Sequence, residues 1–402
     1  MKKKKLVSLG LAAVMLVSLA ACGSSADNAE TSAPAAESQE TETAEPAAEE
    51  PAAEAAEESA APAGGATAGV VWYNAADTFI ANATQCLNTI AAADGTITVT
   101  TADSQNDITV QDQNVSNFYT QGVKYLVLNN INNAATDEIA AKMGEEGVVG
   151  IFANTTSPSD AAFEQNENLW YVSSASTQSG ENMGKALVDY FNSTEDWDKN
   201  GNGKVDFILL QGIPTFSDTI NRSSYSLAEI EAAGYELGTC IGGDDVTGVK
   251  GGDTINGVIC DFQRSKAQEN VEALVASYGD DIDCIIADND DEALGAIAAL
   301  QAHGYLTDDS NYIPVVGVDA TVAGCEAISN GTMLETSLNN PVKLAQSIYK
   351  LMYLLESGQE VTTETVDIDG VTVEGHRLTI GYVSITADNL DDASYDITTT
   401  EF

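Results

Sequence analysis

Val70-Val71-Trp72-Tyr73, Thr96-Ile97-Thr98-Val99-Thr100 and Tyr125-Leu126-Val127-Leu128 are the runs that decide how this chain folds. Each is short and apolar or β-branched, and the stretches between them, near Phe79 to Ala93 and Val110 to Gln121, carry a helical pattern. The order βαβαβ predicts a parallel sheet covered by helices on both faces. The same rhythm returns in Phe207-Ile208-Leu209-Leu210, a helix near Tyr225 to Ala233, Cys284-Ile285-Ile286-Ala287, a helix near Glu292 to Ala302, and Ile313 to Val318. Two such sheets predict an α/β protein of two lobes.

In open α/β sheets, ligands sit beyond the carboxyl ends of the strands, so the residues just after each strand are the first place to look for binding. Those positions hold Asp77 and Phe79, Asn129, Asp218 and Arg222, Asn289, Asp319, and Asn339 after Thr336-Ser337-Leu338. Carboxylates, amides and one guanidinium suit a sugar, because each hydroxyl both donates and accepts and a planar group can engage two hydroxyls at once. The C–H faces of a sugar ring need flat apolar partners, for which Phe79 and Phe262 are candidates. The plainer alternative is that strand-end Asp and Asn only cap the following helices.

Composition narrows the field. With 62 Asp+Glu against 16 Lys+Arg and a formal charge of −46, the chain is no nucleic-acid binder. Two histidines, His303 and His376, exclude a His-rich zinc site and argue against a Ser-His-Asp triad. A carbohydrate-cleaving enzyme is the rival class, with Asp218 and Asp319 as its acid/base pair. After Cys22 five cysteines remain, Cys86, Cys240, Cys260, Cys284 and Cys325. That odd number cannot pair completely, and buried free thiols are expected, with a Cys240–Cys260 bridge as the alternative.

Lys2 to Lys5 followed by the apolar run Leu6 to Leu19 read as a signal segment, residues 1–21. Leu19-Ala20-Ala21-Cys22 resembles the bacterial lipobox, which implies lipidation of Cys22 and an extracytoplasmic chain anchored to the cell membrane. Residues 22–68 form an acidic Ala/Glu/Pro linker without Lys or Arg. Uncompensated charge and recurrent proline keep such a stretch extended.

Asp103-Ser104-Gln105-Asn106-Asp107 after the second strand, together with the strand-end set, makes the body from about Val70 to Leu390 similar to the galactose/glucose-binding members of the type I periplasmic sugar-binding family. The resemblance implies two Rossmann-like lobes joined by a three-segment hinge, the first formed by 69–173 plus 339–381 and the second by 174–338 plus 382–395. It implies a monomer that closes on a monosaccharide and hands it to the membrane permease of an ABC importer, or that presents it to a chemoreceptor or sensor kinase. No catalysis is required. The sugar contacts it implies fall on Asp77, Phe79, Asn129, Asp218, Arg222, Asn289, Asp319 and Asn339. Phe262 stands where the family has a stacking Trp, and Phe216 where it has a sugar-contacting His, so either the Phe216 ring walls the cleft or it points away.

Asp198-Lys199-Asn200-Gly201-Asn202-Gly203-Lys204-Val205-Asp206 has the ligand spacing of an EF-hand loop. Asp198, Asn200, Asn202 and Asp206 offer side-chain oxygens and Lys204 a carbonyl, with Gly201 at the sharp turn. A frame starting at Asp196 puts Lys204 at a ligand position and is disfavoured. In the resembled family a distant Glu completes a structural calcium site, and Asp283 occupies its place here. The alternative is a solvated acidic turn.

Overall fold

The computed structural model describes residues 65–307 and 309–402. The signal segment, Cys22 and nearly all of the linker lie outside these residues. Fourteen strands follow in chain order: β1 (Ala66–Trp72), β2 (Ile97–Asp103), β3 (Tyr125–Leu128), β4 (Val149–Ala153), β5 (Leu169–Ser174), β6 (Val205–Gln211), β7 (Leu237–Cys240), β8 (Val258–Ile259), β9 (Cys284–Ala287), β10 (Val315–Val318), β11 (Glu335–Leu338), β12 (Val371–Glu374), β13 (Arg377–Ile380) and β14 (Val383–Ile385).

They form two sheets. The first has the order β12-β13-β5-β4-β3-β1-β2, and the second β14-β11-β10-β9-β6-β7 with β8 also beside β6. Pairing is parallel except at one end of each sheet, where β12 runs antiparallel to β13 and β14 to β11. Every residue of β3, β6, β9 and β10 is buried, as expected of strands covered on both faces. The architecture is therefore two α/β lobes, with β1 starting at Ala66, four residues before Val70. The chain passes between the sheets three times: from β5 into the helix Ser176–Ser193, from β11 into the helix Pro341–Glu356, and from β13 to β14.

Helix starts are chemically marked. Asp77 accepts the N–H of Ile80 at the head of Thr78–Asp94, Asn289 accepts that of Glu292 at Asp290–Ala302, and Asn340 caps Pro341–Glu356. The helix Pro341–Glu356 packs on Thr78–Asp94 and closes the first core with Leu344, Ile348, Tyr349 and Met352, each fully buried. Cys86, Cys240, Cys260, Cys284 and Cys325 are all free thiols, so Cys240 and Cys260 are not bridged. Burial pushes the Cys240 and Cys260 thiols up to about 12, which makes them inert small hydrophobes at neutral pH.

The last residues return from the second lobe to the first. Tyr395 packs against both cores, and the Phe402 ring lies edge-on to Tyr349 and Tyr353, with centroids 4.7 and 5.2 Å away. Gln346 Nε2 donates to the Glu401 carbonyl at 2.9 Å. No described helix is long and apolar enough to cross a membrane.

Candidate functional site

Strand ends from both sheets converge on one cavity. Its lining is Tyr73, Asp77, Phe79 and Asn154 from the first lobe, Phe216, Asp218, Arg222, Phe262, Asn289 and Asp319 from the second, and Asn339 at a crossing. Nine of the ten sequence-derived cleft residues therefore lie together. Asn129 does not join them: it is fully buried at the end of β3, and neither atom of its carboxamide has a protein partner. Tyr73 and Asn154 were not anticipated. Tyr73 directly follows β1, and Asn154 directly follows β4, in left-handed backbone with φ +63°.

Asp77 and Asn289 cap helices and line the cavity as well, so capping does not remove these side chains from the cavity. Tyr73 donates its hydroxyl to Asp77 Oδ2 at 2.5 Å, which leaves the other carboxylate oxygen to the Ile80 N–H. Asn339 Nδ2 donates to Asp319 Oδ1 at 3.3 Å and its Oδ1 accepts from Ser174 Oγ at 2.7 Å, tying two crossings to the floor of the cleft. Asp319 itself holds φ +116°, a backbone strain of the sort that collects at binding sites.

Arg222 is the electrostatic centre. Only 4% exposed, it donates to the Asp288 carbonyl at 2.8 Å and to the Tyr382 hydroxyl at 3.1 Å, and it stands 3.7 Å from Asp218. Its Nε is buried without a protein partner. Burial works against the guanidinium charge, but Tyr382, Asp218, Asp319 and Asp288 outweigh it and the charge is held firmly. For the carboxyls the balance disfavours the charge. Burial raises Asp218 and Asp319 above the usual range despite Arg222, and raises Asp77 despite the Tyr73 hydroxyl.

Three rings cross the lobe boundary. Tyr73 meets Phe216 edge-on at 5.7 Å and Phe262 at 6.3 Å, while Phe216 and Phe262 are 6.4 Å apart. The Phe216 ring thus faces the cavity, settling which way it points. Two hydrogen bonds join the rims: Asn133 Nδ2 to the Thr215 carbonyl at 2.8 Å and Thr78 Oγ1 to Asp291 at 3.0 Å. The cavity enclosed is about 30 Å³, room for only one or two water molecules. A sugar-sized ligand therefore enters only if the rims part or the rings swing aside. A larger hollow of about 570 Å³ lies between the helices Ile108–Gln121 and Thr136–Glu145 of the first lobe, but its Lys142 is already paired with Glu146 at 2.7 Å.

The loop 198–206 is built from oxygen donors and turns at Gly201 and Gly203, with φ +71° and +79°. Asp198 accepts the N–H groups of Gly201, Asn202 and Gly203. Asp283, brought in from just before β9, accepts those of Lys199 and Asp206. Asn200 and Asn202 donate their amides to Asp206 Oδ2 at 2.8 and 2.6 Å. Five of the six proposed ligands are thus joined in one place and the Lys204 N–H adds to them on Asn202 Oδ1 at 2.7 Å, yet among the described residues no three acidic, His or Cys side chains form a ready metal cluster. The donor chemistry fits a hard cation such as calcium; seating one requires the two Asn amides to turn their oxygens inward. Burial, with Asp206 and Asp198 nearby, pushes Asp283 up to about 7 against the pull of its two N–H partners, a crowding that a cation would relieve.

Comparison with known proteins places this geometry. A periplasmic binding protein domain matches residues 68–360. The D-galactose/methyl-galactoside binding periplasmic protein of Haemophilus influenzae is 29% identical over 325 residues, 81% of this chain and 90% of that protein. The xylitol-binding protein of Mycolicibacterium smegmatis is 24% identical, covering 79% and 84%. Among solved structures, an ABC transporter solute binding protein from Bacillus halodurans with bound myo-inositol superposes with a TM-score of 0.64 at 23% identity, over 83% of this chain and 98% of that one. Two parallel-dominated sheets, three crossings and a set of polar side chains from both lobes round one cavity agree with that match, and the chain belongs to the periplasmic binding protein family, with the type I architecture.

Proposed function

We propose that this protein captures one hexose, galactose or glucose, between its lobes and delivers it to the permease of an ABC importer from a position outside the cell membrane, tethered through a lipidated Cys22. Membership of the family carries the coarser part: its members are substrate-binding proteins rather than enzymes. The observation that carries the finer part is the cavity lining, in which Arg222, three carboxylates and three amides alternate with Phe and Tyr rings. Hydroxyls can bridge such groups while ring C–H faces lie on the aromatics. The similarity to a galactose-binding relative points the same way. Capture is a hinge closure in which the ligand stabilises the closed form by contacts to both lobes.

Calcium is proposed as a structural ion of the second lobe, held by Asp198, Asn200, Asn202, the Lys204 carbonyl, Asp206 and Asp283. It would tie the turn before β6 to the start of β9 and take no part in contacting the sugar. Calorimetric titration with galactose, glucose, xylose and myo-inositol, with and without calcium, tests both proposals. Saturable binding of a hexose in preference to the other two is the expected result, and preference for the pentose or the cyclitol overturns the ligand assignment.

A further inference from the structure

Phe262 is an unusual residue for its backbone. It and Asp261 hold φ of +58° and +52°, a left-handed conformation rare for bulky side chains. Its ring presses on the end of β6, where a Cβ on Gly212 would lie 2.0 Å from the ring, so glycine at 212 is what lets the ring sit there. The Gln263 N–H on the Cys260 carbonyl at 2.9 Å closes this turn and Lys266 pairs with Asp261, while a single side chain takes the Phe262 N–H itself. Glu292, fully buried in the first turn of the helix Asp290–Ala302, accepts the Phe262 N–H on Oε1 at 3.0 Å. Its own N–H is capped by Asn289, a cavity residue, and its Oε2 is buried without a protein partner. Asp288, four residues earlier, accepts the Gly212 N–H at 3.1 Å, so residues 288–292 grip both the ring's seat and the ring's own backbone.

We infer that Glu292 is a positioning residue of the cleft, whose carboxyl oxygen fixes the left-handed turn at Phe262 and so presents the Phe262 ring to the ligand. This inference rests on the sugar-binding reading of the cavity. Burial, with Asp288 beside it, raises Glu292 well above the ordinary carboxyl range in spite of the Phe262 N–H and Arg222. The oxygen that accepts the Phe262 N–H is one that a glutamine carbonyl reproduces and a methionine of similar length does not.

The test uses the full chain with Glu292→Gln, Glu292→Met, Phe262→Ala and the double variant Glu292→Met/Phe262→Ala, each checked by thermal melting. Amide exchange at Phe262, measured without sugar, should quicken by about tenfold or more in Glu292→Met and stay near wild type in Glu292→Gln, since the lost partner is one hydrogen bond. Galactose or glucose affinity should fall about five- to thirtyfold in both Glu292→Met and Phe262→Ala, recover to within about threefold in Glu292→Gln, and fall no further in the double variant, because both changes remove the same ring placement. Unchanged exchange in Glu292→Met overturns the inference, as does multiplication of the two affinity losses. If no sugar binds the wild type, the ligand reading fails, and the exchange experiment still decides what Glu292 does.

Discussion

The cleft and the loop 198–206 are both crowds of carboxylates, and they are resolved in different ways. In the cleft Asp218 and Asp319 gather round one buried guanidinium, Arg222, and their remaining lone pairs face a cavity. In the loop the acids are satisfied by backbone: Asp198 takes three N–H groups and Asp283 two. A charge held by a fixed internal cation leaves directional acceptors for a neutral polyol, whereas a charge held by peptide groups is arranged for something small that can replace repulsion by attraction. On the proposed reading the first is a recognition site and the second a fastening.

The hardest blow to this contrast is Arg222→Met. It leaves Asp218 and Asp319 without their counter-ion, and a broken buried pair costs about 3–5 kcal/mol. Urea unfolding should show that loss, and sugar titration should show affinity gone; full sugar affinity in this variant would mean that the cleft acids do not need Arg222. Next in size, calcium should stabilise the wild type by about 2.7 kcal/mol at a hundredfold excess over its Kd, and Asp198→Ala should abolish the gain while sugar affinity is kept. A melt that ignores calcium would make the loop a self-satisfied acidic turn.

A smaller effect is expected from Phe262→Ala, about 1–2 kcal/mol of sugar affinity through lost stacking area, with the calcium response intact. Smallest is Phe216→His, expected to change the preference for galactose over 6-deoxygalactose by about 1 kcal/mol, the worth of one hydrogen bond. A Phe wall leaves no buried donor unpaired when the hydroxyl is missing, so the histidine should widen the preference. Equal preferences in both proteins would mean that the ring does not meet that part of the ligand.

Much of this was legible in the chain because period and position survive folding. Tyr125–Leu128 and Cys284–Ala287 appear as strands with the bounds their apolar runs suggest, and the residues that follow strands do surround one cavity. Asn154 escaped because the run Val149–Ala153 was not counted as a strand, although the same strand-end rule applied to it would have named Asn154. Asn129 shows the limit of that rule: position after a strand places a residue at the correct end of the sheet, and Asn129, buried there, is still not part of the lining. Glu292 was out of reach for another reason. An acid in the first turn of a helix reads as a dipole partner facing water, and only the fold of residues 260–263 over it turns it into a buried acceptor.

The returning tail alters how the two lobes can move. Three covalent crossings leave bending and twisting as easy rotations, but the segment after Ser394 adds a packed link between the lobes, through Tyr395 in both cores and Phe402 against Tyr349 and Tyr353. It acts as a leash. The seven residues from Tyr395 to Glu401 reach at most about 23 Å at roughly 3.3 Å each, and Tyr395, Ile397 and Phe402 all grip the first core, so pulling the lobes apart along this segment must loosen those contacts. Any parting of the lobes would thereby be resisted by a stretch of chain outside the cavity lining.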